Sequence, residues 1–193
     1  MANAGDELIN DVTGLRTVFR KTAADTNGEL LEVDWIGKPG WRAGDRHVHP
    51  LQEERFEVLS GTLRSSIDGV EATHATGDVV TAPAGSVHTV WNAGGETVHV
   101  RVTFRPALRS ETVLEILASL ANDGKTDRAG NPKDPLLGAV LMQEFQDEIY
   151  PAQPPRAVQR ILFPLLAAIG KLKGYRADDF SQRSTGASVA SSV

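Results

Sequence analysis

Three of the chain's five histidines lie in two short motifs whose spacing favours metal ligation. His47 and His49 are two residues apart, and Glu54 follows after four intervening residues. Residues two apart on a β-strand project from the same face, so both imidazoles can reach one ion. The second motif spans residues 77–92 and contains Gly77, Pro83, Gly85, His88 and Asn92. We expect His88 to join the first three side chains from a later strand.

The chemistry of these four side chains narrows the kind of ion. Three neutral imidazole nitrogens and one carboxylate suit Fe, Mn, Ni, Zn or Cu better than Ca or Mg. The sequence therefore predicts one divalent transition metal held by His47, His49, Glu54 and His88. Glu53 is an alternative ligand at the shorter spacing.

The remaining candidates are assigned no chemistry. We expect His74 and His99 to be structural or solvated, and Asn92 to be a turn residue. No general base and no organic cofactor are assigned, because no second carboxylate or histidine can be placed beside the ligands.

Short β-type segments fill the chain up to Pro106. The predicted strands are rich in Val, Thr, Trp and Phe and cover residues 30–36, 55–60, 63–67, 78–82, 88–91 and 97–104. Gly61, Asp68-Gly69 and Gly94-Gly95 mark tight turns between them. Strands every 8 to 12 residues with such turns are typical of an antiparallel sandwich or barrel.

The residues after Pro106 follow a helical period. We predict helices over residues 111–121, 135–150 and 156–173, with Ser110 and Asp134 as N-caps of the first two. A polar, Gly-rich loop over residues 122–134 separates the first two helices, and one alternative places it over the barrel mouth. The predicted organisation is an N-terminal segment (1–29), a barrel (30–106), a helical extension (107–180) and a disordered tail (181–193).

The third predicted helix carries an apolar stripe formed by Val158, Ile161, Leu162, Leu165, Ile169 and Leu172. We expect it to pack on the barrel or on the second helix. A contact between two subunits and a helix lying on a membrane surface are the alternatives.

Both motifs resemble those of the cupin superfamily, G-x5-HxH-x3,4-E-x6-G and G-x5-PxG-x2-H-x3-N. The second matches in full, and the first matches at His47, His49, Glu54 and Gly61 but has Trp41 where its opening glycine is expected. The resemblance implies a mainly β fold: an antiparallel cupin-type barrel (double-stranded β-helix, or jelly roll) with a metal inside its mouth. Three C-terminal helices follow it here.

Two kinds of function fit such a site. The first is a metal-dependent enzyme for a small organic substrate, either an oxygenase such as a dioxygenase or a non-redox cyclase or isomerase. Four protein ligands leave two positions on an octahedral ion, enough for a chelating substrate. The net positive centre favours enolate, catecholate or carboxylate groups. The alternative is a non-catalytic protein that binds or senses a small molecule.

The composition of the chain argues against several other classes of protein. The net charge is −5, with 25 acidic and 20 basic residues, so no nucleic-acid partner is expected. The absence of cysteine excludes disulfides and thiolate chemistry. The first 16 residues contain no apolar core of a secretory signal, and no apolar run is long enough to span a membrane. We therefore expect a cytoplasmic protein, and a homodimer because of the apolar helical surface.

Overall fold

A computed structural model of the protein describes residues 2–177 and residue 179. The predicted disordered tail, residues 181–193, lies outside the described residues. The strands are β1 (Glu7–Asn10), β2 (Leu15–Lys21), β3 (Leu31–Gly37), β4 (His47–Val48), β5 (Glu53–Ser60), β6 (Leu63–Ile67), β7 (Val70–His74), β8 (Val79–Ala82), β9 (Val87–Asn92), β10 (Val98–Arg105) and β11 (Tyr150–Pro151). The helices are α1 (Ser110–Asn122), α2 (Pro135–Glu144) and α3 (Arg156–Leu172).

The strands form two antiparallel sheets that enclose one apolar core. The first sheet has the order β1-β2-β3-β10-β5-β8, and the second has the order β11-β4-β9-β6-β7. On β10, the buried Val98, Val100, Val102 and Phe104 alternate with partly or fully exposed residues. These side chains meet Leu31, Val33, Trp35, Phe56 and Val58 from the neighbouring strands. The predicted antiparallel barrel followed by three helices is confirmed.

Several strands were not expected from the sequence. β1 and β2 come from the N-terminal segment and extend the first sheet beyond β3. β7 has no buried residue to produce an alternating pattern, and β4 and β11 are only two residues long. A strand is recognised in a sequence by alternation over four or more residues, so β4, β7 and β11 give too weak a signal.

The ends of two helices differ from the prediction. Ser110 is the first residue of α1 rather than its N-cap; the cap is Arg109, and Ser110 Oγ accepts a hydrogen bond from Gln52 instead. α2 ends at Glu144 and not at residue 150, which belongs to β11. The expected N-cap of α2 is confirmed, because Asp134 accepts hydrogen bonds from the amides of Leu136 and Leu137.

The third helix is oriented opposite to the expectation. Its buried residues are Gln159, Ala167 and Gly170, on the side that packs against α2. A Cβ at Gly170 would lie 2.9 Å from the carbonyl oxygen of Leu136, so glycine permits this close approach. The predicted apolar stripe therefore faces solvent, with side chains between 39% exposed at Leu162 and 89% at Leu172. Within the described residues, no helix is long and apolar enough to cross a bilayer.

Candidate metal centre

The four predicted ligands come from both sheets and meet inside the barrel. His47 and His88 are directly opposed on the neighbouring strands β4 and β9 of the second sheet. His49 follows β4 immediately, and Glu54 lies on β5 of the first sheet. The chain crosses between the sheets in only four residues, so it delivers two histidines and a carboxylate to one point.

A buried glutamine anchors that crossing. Gln52 is fully buried and its Nε2 donates to the carbonyl oxygens of Pro106 and Ala107 and to Ser110 Oγ, at 2.8, 2.9 and 2.7 Å. These bonds tie the segment between His49 and Glu54 to the start of α1. The barrel and the first helix thus jointly fix where the carboxylate lies.

The candidate ligand atoms form a compact group. One nitrogen from each histidine and one oxygen of Glu54 all lie within 4.8 Å of one another. Glu54 Oε2 is 2.8 Å from His88 Nε2 and 3.4 Å from His49 Nε2. With bonds of about 2.1 Å, adjacent donors on an octahedral ion are about 3 Å apart and opposed donors about 4.2 Å apart. The two Glu54 contacts match adjacent donors, and the 4.8 Å limit slightly exceeds the separation of opposed donors, so small side-chain movements would enclose a single ion.

Backbone carbonyls select the same ring nitrogen in all three histidines. The Nδ1 atoms of His47, His49 and His88 lie 2.8, 2.5 and 3.1 Å from the carbonyl oxygens of Asp45, Glu148 and Ser86. A carbonyl can only accept, so each Nδ1 carries a proton and Nε2 is the nitrogen that can ligate a metal. Such contacts orient imidazoles that ligate metals.

Burial and mutual contact shift the protonation of the cluster. Burial, together with the nearby imidazoles, holds the pKa of His47 well below its usual range, so this ring is neutral at pH 7. Burial opposes ionisation of Glu54, but hydrogen bonds from His49 and His88 outweigh it and lower the pKa of that carboxyl. The four side chains thus present an ionised carboxylate beside imidazole nitrogens, a donor set compatible with a divalent metal.

The alternative residues lie elsewhere. Glu53 is exposed and is not a member of the cluster. His74 Nε2 is 2.8 Å from Ser65 Oγ, and His99 lies 3.1 Å from Asp34 on the first sheet. Asn92 holds its turn together, as expected, through the carbonyl oxygens of Gly37 and Glu96 and the amide of Gly94. No second cluster of this kind occurs in the part of the chain that the structure describes.

A cavity of about 220 Å³ opens onto His47, His49 and Glu54 between the barrel and the helices. Its walls are mostly apolar and include Leu15, Trp35, Trp41, Leu114, Leu117 and Met142. Residues 129–132 of the loop between α1 and α2 also line it, and Asn131 Nδ2 donates to Asp45 Oδ2 at 2.8 Å. The helical extension therefore forms part of the chamber above the ligands.

The helical extension also reaches a candidate ligand directly. The carbonyl that His49 contacts belongs to Glu148, whose carboxylate accepts a hydrogen bond from Arg109 Nε at 2.8 Å. The same guanidinium reaches Glu144 Oε1 at 2.8 Å and lies over the ring of Phe145. Sequence reasoning missed Arg109, Glu148 and the carbonyls of Asp45 and Ser86. Backbone acceptors leave no mark in residue type, so no sequence signal could have found those contacts.

The barrel region is similar to known proteins. The Cupin domain family profile matches residues 34–104. Among solved structures, KdgF from Halomonas sp. is 17% identical, with a TM-score of 0.48 and coverage of 55% of this chain and 90% of that chain. An RmlC-like cupin from Shewanella frigidimarina is 22% identical, with a TM-score of 0.48 and coverage of 57% and 93%. A predicted oxalate decarboxylase from Thermotoga maritima is 17% identical, with a TM-score of 0.48 and coverage of 52% and 90%.

No curated protein sequence matches the chain. The profile match covers the strands from β3 to β10 and includes all four clustered residues. Residues 34–104 are thus similar to a cupin domain.

Proposed function

We propose that the protein is a metal-dependent cupin enzyme acting on a small organic substrate. His47, His49, Glu54 and His88 hold one divalent transition metal: Fe, Zn, Mn or Ni. The observation that carries the proposal is the alignment of the three histidines, each with Nδ1 bound to a carbonyl and Nε2 left for the ion. Three independent backbone contacts that expose the same nitrogen are the support expected around a metal.

The cavity suits a substrate with an anionic chelating group on an apolar body. The ligands lie at one side, and Trp35, Trp41 and Leu114 contribute apolar wall. These side chains would bind the body of the substrate and keep water from its reacting end. When bound, a divalent metal polarises an enolate, catecholate or carboxylate group, and iron adds reaction with dioxygen.

Of the two reaction types, oxygenation fits the cavity better than isomerisation or cyclisation. A non-redox rearrangement requires a protein base to move a proton. Among the residues that line the cavity, the carboxylates other than Glu54 are already engaged: Asp45 by Asn131 and Glu148 by Arg109. A substrate that arrives already ionised needs no such base before it meets oxygen. We therefore place a dioxygenase ahead of an isomerase or cyclase.

The test combines metal analysis with an oxygen assay. Protein purified without chelator is analysed for metal, and oxygen consumption is measured with chelating phenols and 1,3-diketones. We expect about one metal per chain, turnover of at least one apolar chelating substrate, loss of turnover with chelator and recovery with one added ion. Turnover that persists in metal-free protein would rule out the mechanism.

The same assay separates the alternative function. A metal-loaded protein that binds these compounds without converting them, under oxygen or without it, would be a small-molecule binding or sensing cupin. Binding is followed through quenching of tryptophan fluorescence, because Trp35 and Trp41 both line the cavity. A homodimer and a cytoplasmic location remain predictions from the sequence.

A further inference from the structure

Three of the four candidate ligands are almost closed off from solvent. His49, Glu54 and His88 are 6%, 2% and 1% exposed, and the cavity of about 220 Å³ adjoins the cluster. A metal or a substrate therefore has to enter the cavity to reach them. The wall of the cavity consists of strands, of α1 and α2, and of the loop between these two helices. The part of the wall that opens at the lowest free-energy cost sets the route of entry.

Most of that wall is held by extensive bonding. The strands β2, β3, β10 and β5 lie side by side in one continuous antiparallel ladder. The helices α1 and α2 share a buried apolar core that includes Ile116, Leu120, Leu137 and Leu141. Separating the strands would break backbone hydrogen bonds, and separating the helices would expose these side chains to water.

Residues 127–132 of the loop, which we name the tip segment, are held much less firmly. None of them is buried, and none belongs to an apolar cluster of the described chain. Asp127 Oδ1 accepts from the amides of Ala129 and Asn131, so the segment is bonded mainly to itself. Among the described residues, a single hydrogen bond joins it to the barrel, from Asn131 Nδ2 to Asp45 Oδ2 at 2.8 Å.

The tip segment reaches from one edge of the cavity to another. At the first edge, a Cβ built on Gly130 would lie 3.8 Å from Cγ2 of Thr13, in the turn between β1 and β2. At the second edge, Asn131 binds Asp45, whose own carbonyl oxygen lies 2.8 Å from His47 Nδ1. The backbone between these two contacts lines the cavity. The weakest part of the wall thus lies beside the ligand cluster.

We propose that the tip segment is a lid over the cavity and that the hydrogen bond between Asn131 and Asp45 holds it closed. The lid admits the metal and the substrate, so it rests on the proposed function for what it admits. Opening breaks this one bond to the barrel and leaves the bonds within the segment intact. The tip segment makes no hydrogen bond with any of the four ligands, so its position changes how fast they are reached and not how tightly they bind.

A thiol placed in the cavity measures opening without any metal. The chain contains no cysteine, so one introduced thiol is the only site that a thiol reagent can label. Thr17 lines the cavity and is 4% exposed, and cysteine is close to threonine in size. In metal-free Thr17→Cys protein, adding Asn131→Ala should speed labelling by an aromatic disulfide about fivefold, the effect of losing one hydrogen bond. The matched control is Asn3→Ala, which removes a contact with Asp6 away from the cavity and should leave the rate unchanged.

A double-mutant cycle shows whether this particular bond is responsible. Asp45→Ala removes the same hydrogen bond from its other side and keeps the backbone carbonyl that His47 contacts. It should speed labelling by the same factor as Asn131→Ala, and the double variant should label no faster than either single variant. Low concentrations of urea should not change these rates, because opening of the lid exposes little surface.

Metal exchange is the second readout. Asn131→Ala should raise the rate of metal binding and the rate of release to a chelator by the same factor, about fivefold. The dissociation constant should stay unchanged, because both rates depend on the same open fraction. A purely structural role of Asn131 would instead weaken the affinity and raise only the release rate.

The contrary outcomes are equally definite. A labelling rate that Asn131→Ala leaves unchanged, or that low urea raises steeply, would overturn the proposal. So would a weaker metal affinity with an unchanged rate of metal binding. If the wild type binds no metal, the proposed function fails, and labelling of the metal-free protein still decides whether the lid exists. If circular dichroism shows that Thr17→Cys does not fold, Leu114→Cys on the α1 wall of the cavity replaces it.

Discussion

His49 combines the features expected of a strong ligand, because it is buried and its ring is fixed by the carbonyl of Glu148. We predict that His49→Ala loses most of its bound metal, since the remaining donors no longer enclose the ion. Metal analysis after purification without chelator checks this. His74→Ala is the control, because His74 contacts Ser65 away from the cluster. Equal metal content in the two variants would contradict the assignment of the site.

Two adjacent glutamates allow a second test at this scale. Glu54→Gln keeps the volume of the side chain but removes the charge of the cluster's carboxylate, so we predict metal affinity at least about tenfold weaker. Glu53→Gln changes an exposed neighbour and should bind metal like the wild type. Titration of metal-free protein measures both affinities. If Glu53→Gln is the variant that loses affinity, the carboxylate ligand has been assigned to the wrong residue.

Beyond the strands, the residues after Pro106 hold part of the site in place. Arg109, just before α1, binds two carboxylates: that of Glu144, the last residue of α2, and that of Glu148, four residues further along the chain. We predict that Arg109→Met weakens metal affinity about 10- to 100-fold, because Glu148 then no longer holds its carbonyl against His49. Arg105→Met, which removes an exposed ion pair with Glu29, is the control. Weaker metal affinity in a titration, with an unchanged circular dichroism spectrum, would support this role of Arg109. An affinity equal to that of the wild type in Arg109→Met would exclude it.

Packing between α2 and α3 depends on one glycine. A Cβ at Gly170 would lie 2.8 Å from Val140 Cγ2 and 2.9 Å from the Leu136 carbonyl, so Gly170→Ala forces the helices apart. We predict a loss of about 1–3 kcal/mol in the free energy of unfolding, measured by urea denaturation. At Gly138 in α2, a Cβ would meet only Pro132, at 3.8 Å. Gly138→Ala should therefore be neutral or stabilising by up to about 1 kcal/mol through helix propensity. If both substitutions stabilise, the helices are not closely packed.

At the scale of the whole molecule, metal binding and folding are linked because the four ligands join the two sheets. A metal at 1,000 times its dissociation constant adds about 4 kcal/mol to the stability of the folded chain. At about 2–4 °C per kcal/mol, the melting temperature should rise by about 8–16 °C. Calorimetry with and without chelator measures the shift. The His49→Ala variant should show almost none, and an equal shift in that variant would mean that the metal binds elsewhere.

The local sequence pattern predicted an element correctly where that element's environment is uniform along its length or is set by residues close in sequence. The alternation of Val98, Val100, Val102 and Phe104 predicted β10 because one face of that strand is buried throughout. Asp134 predicted the start of α2 because its cap bonds are made within three residues. The histidine spacing, with the cupin resemblance, pointed to the four residues that the structure brings together.

Tertiary structure decided what no local pattern encodes. The period of α3 showed which apolar residues share a face, but not that the face made of Ala167 and Gly170 would be the one to pack. Small residues permit closer backbone approach than the larger aliphatic ones. The face of α3 with Ala167 and Gly170 is therefore the one that packs against α2. The orientation of His49 likewise depends on a carbonyl 99 residues away, supplied by the helical extension. Backbone acceptors are the same at every position of a sequence, and only the folded chain determines which one reaches the imidazole.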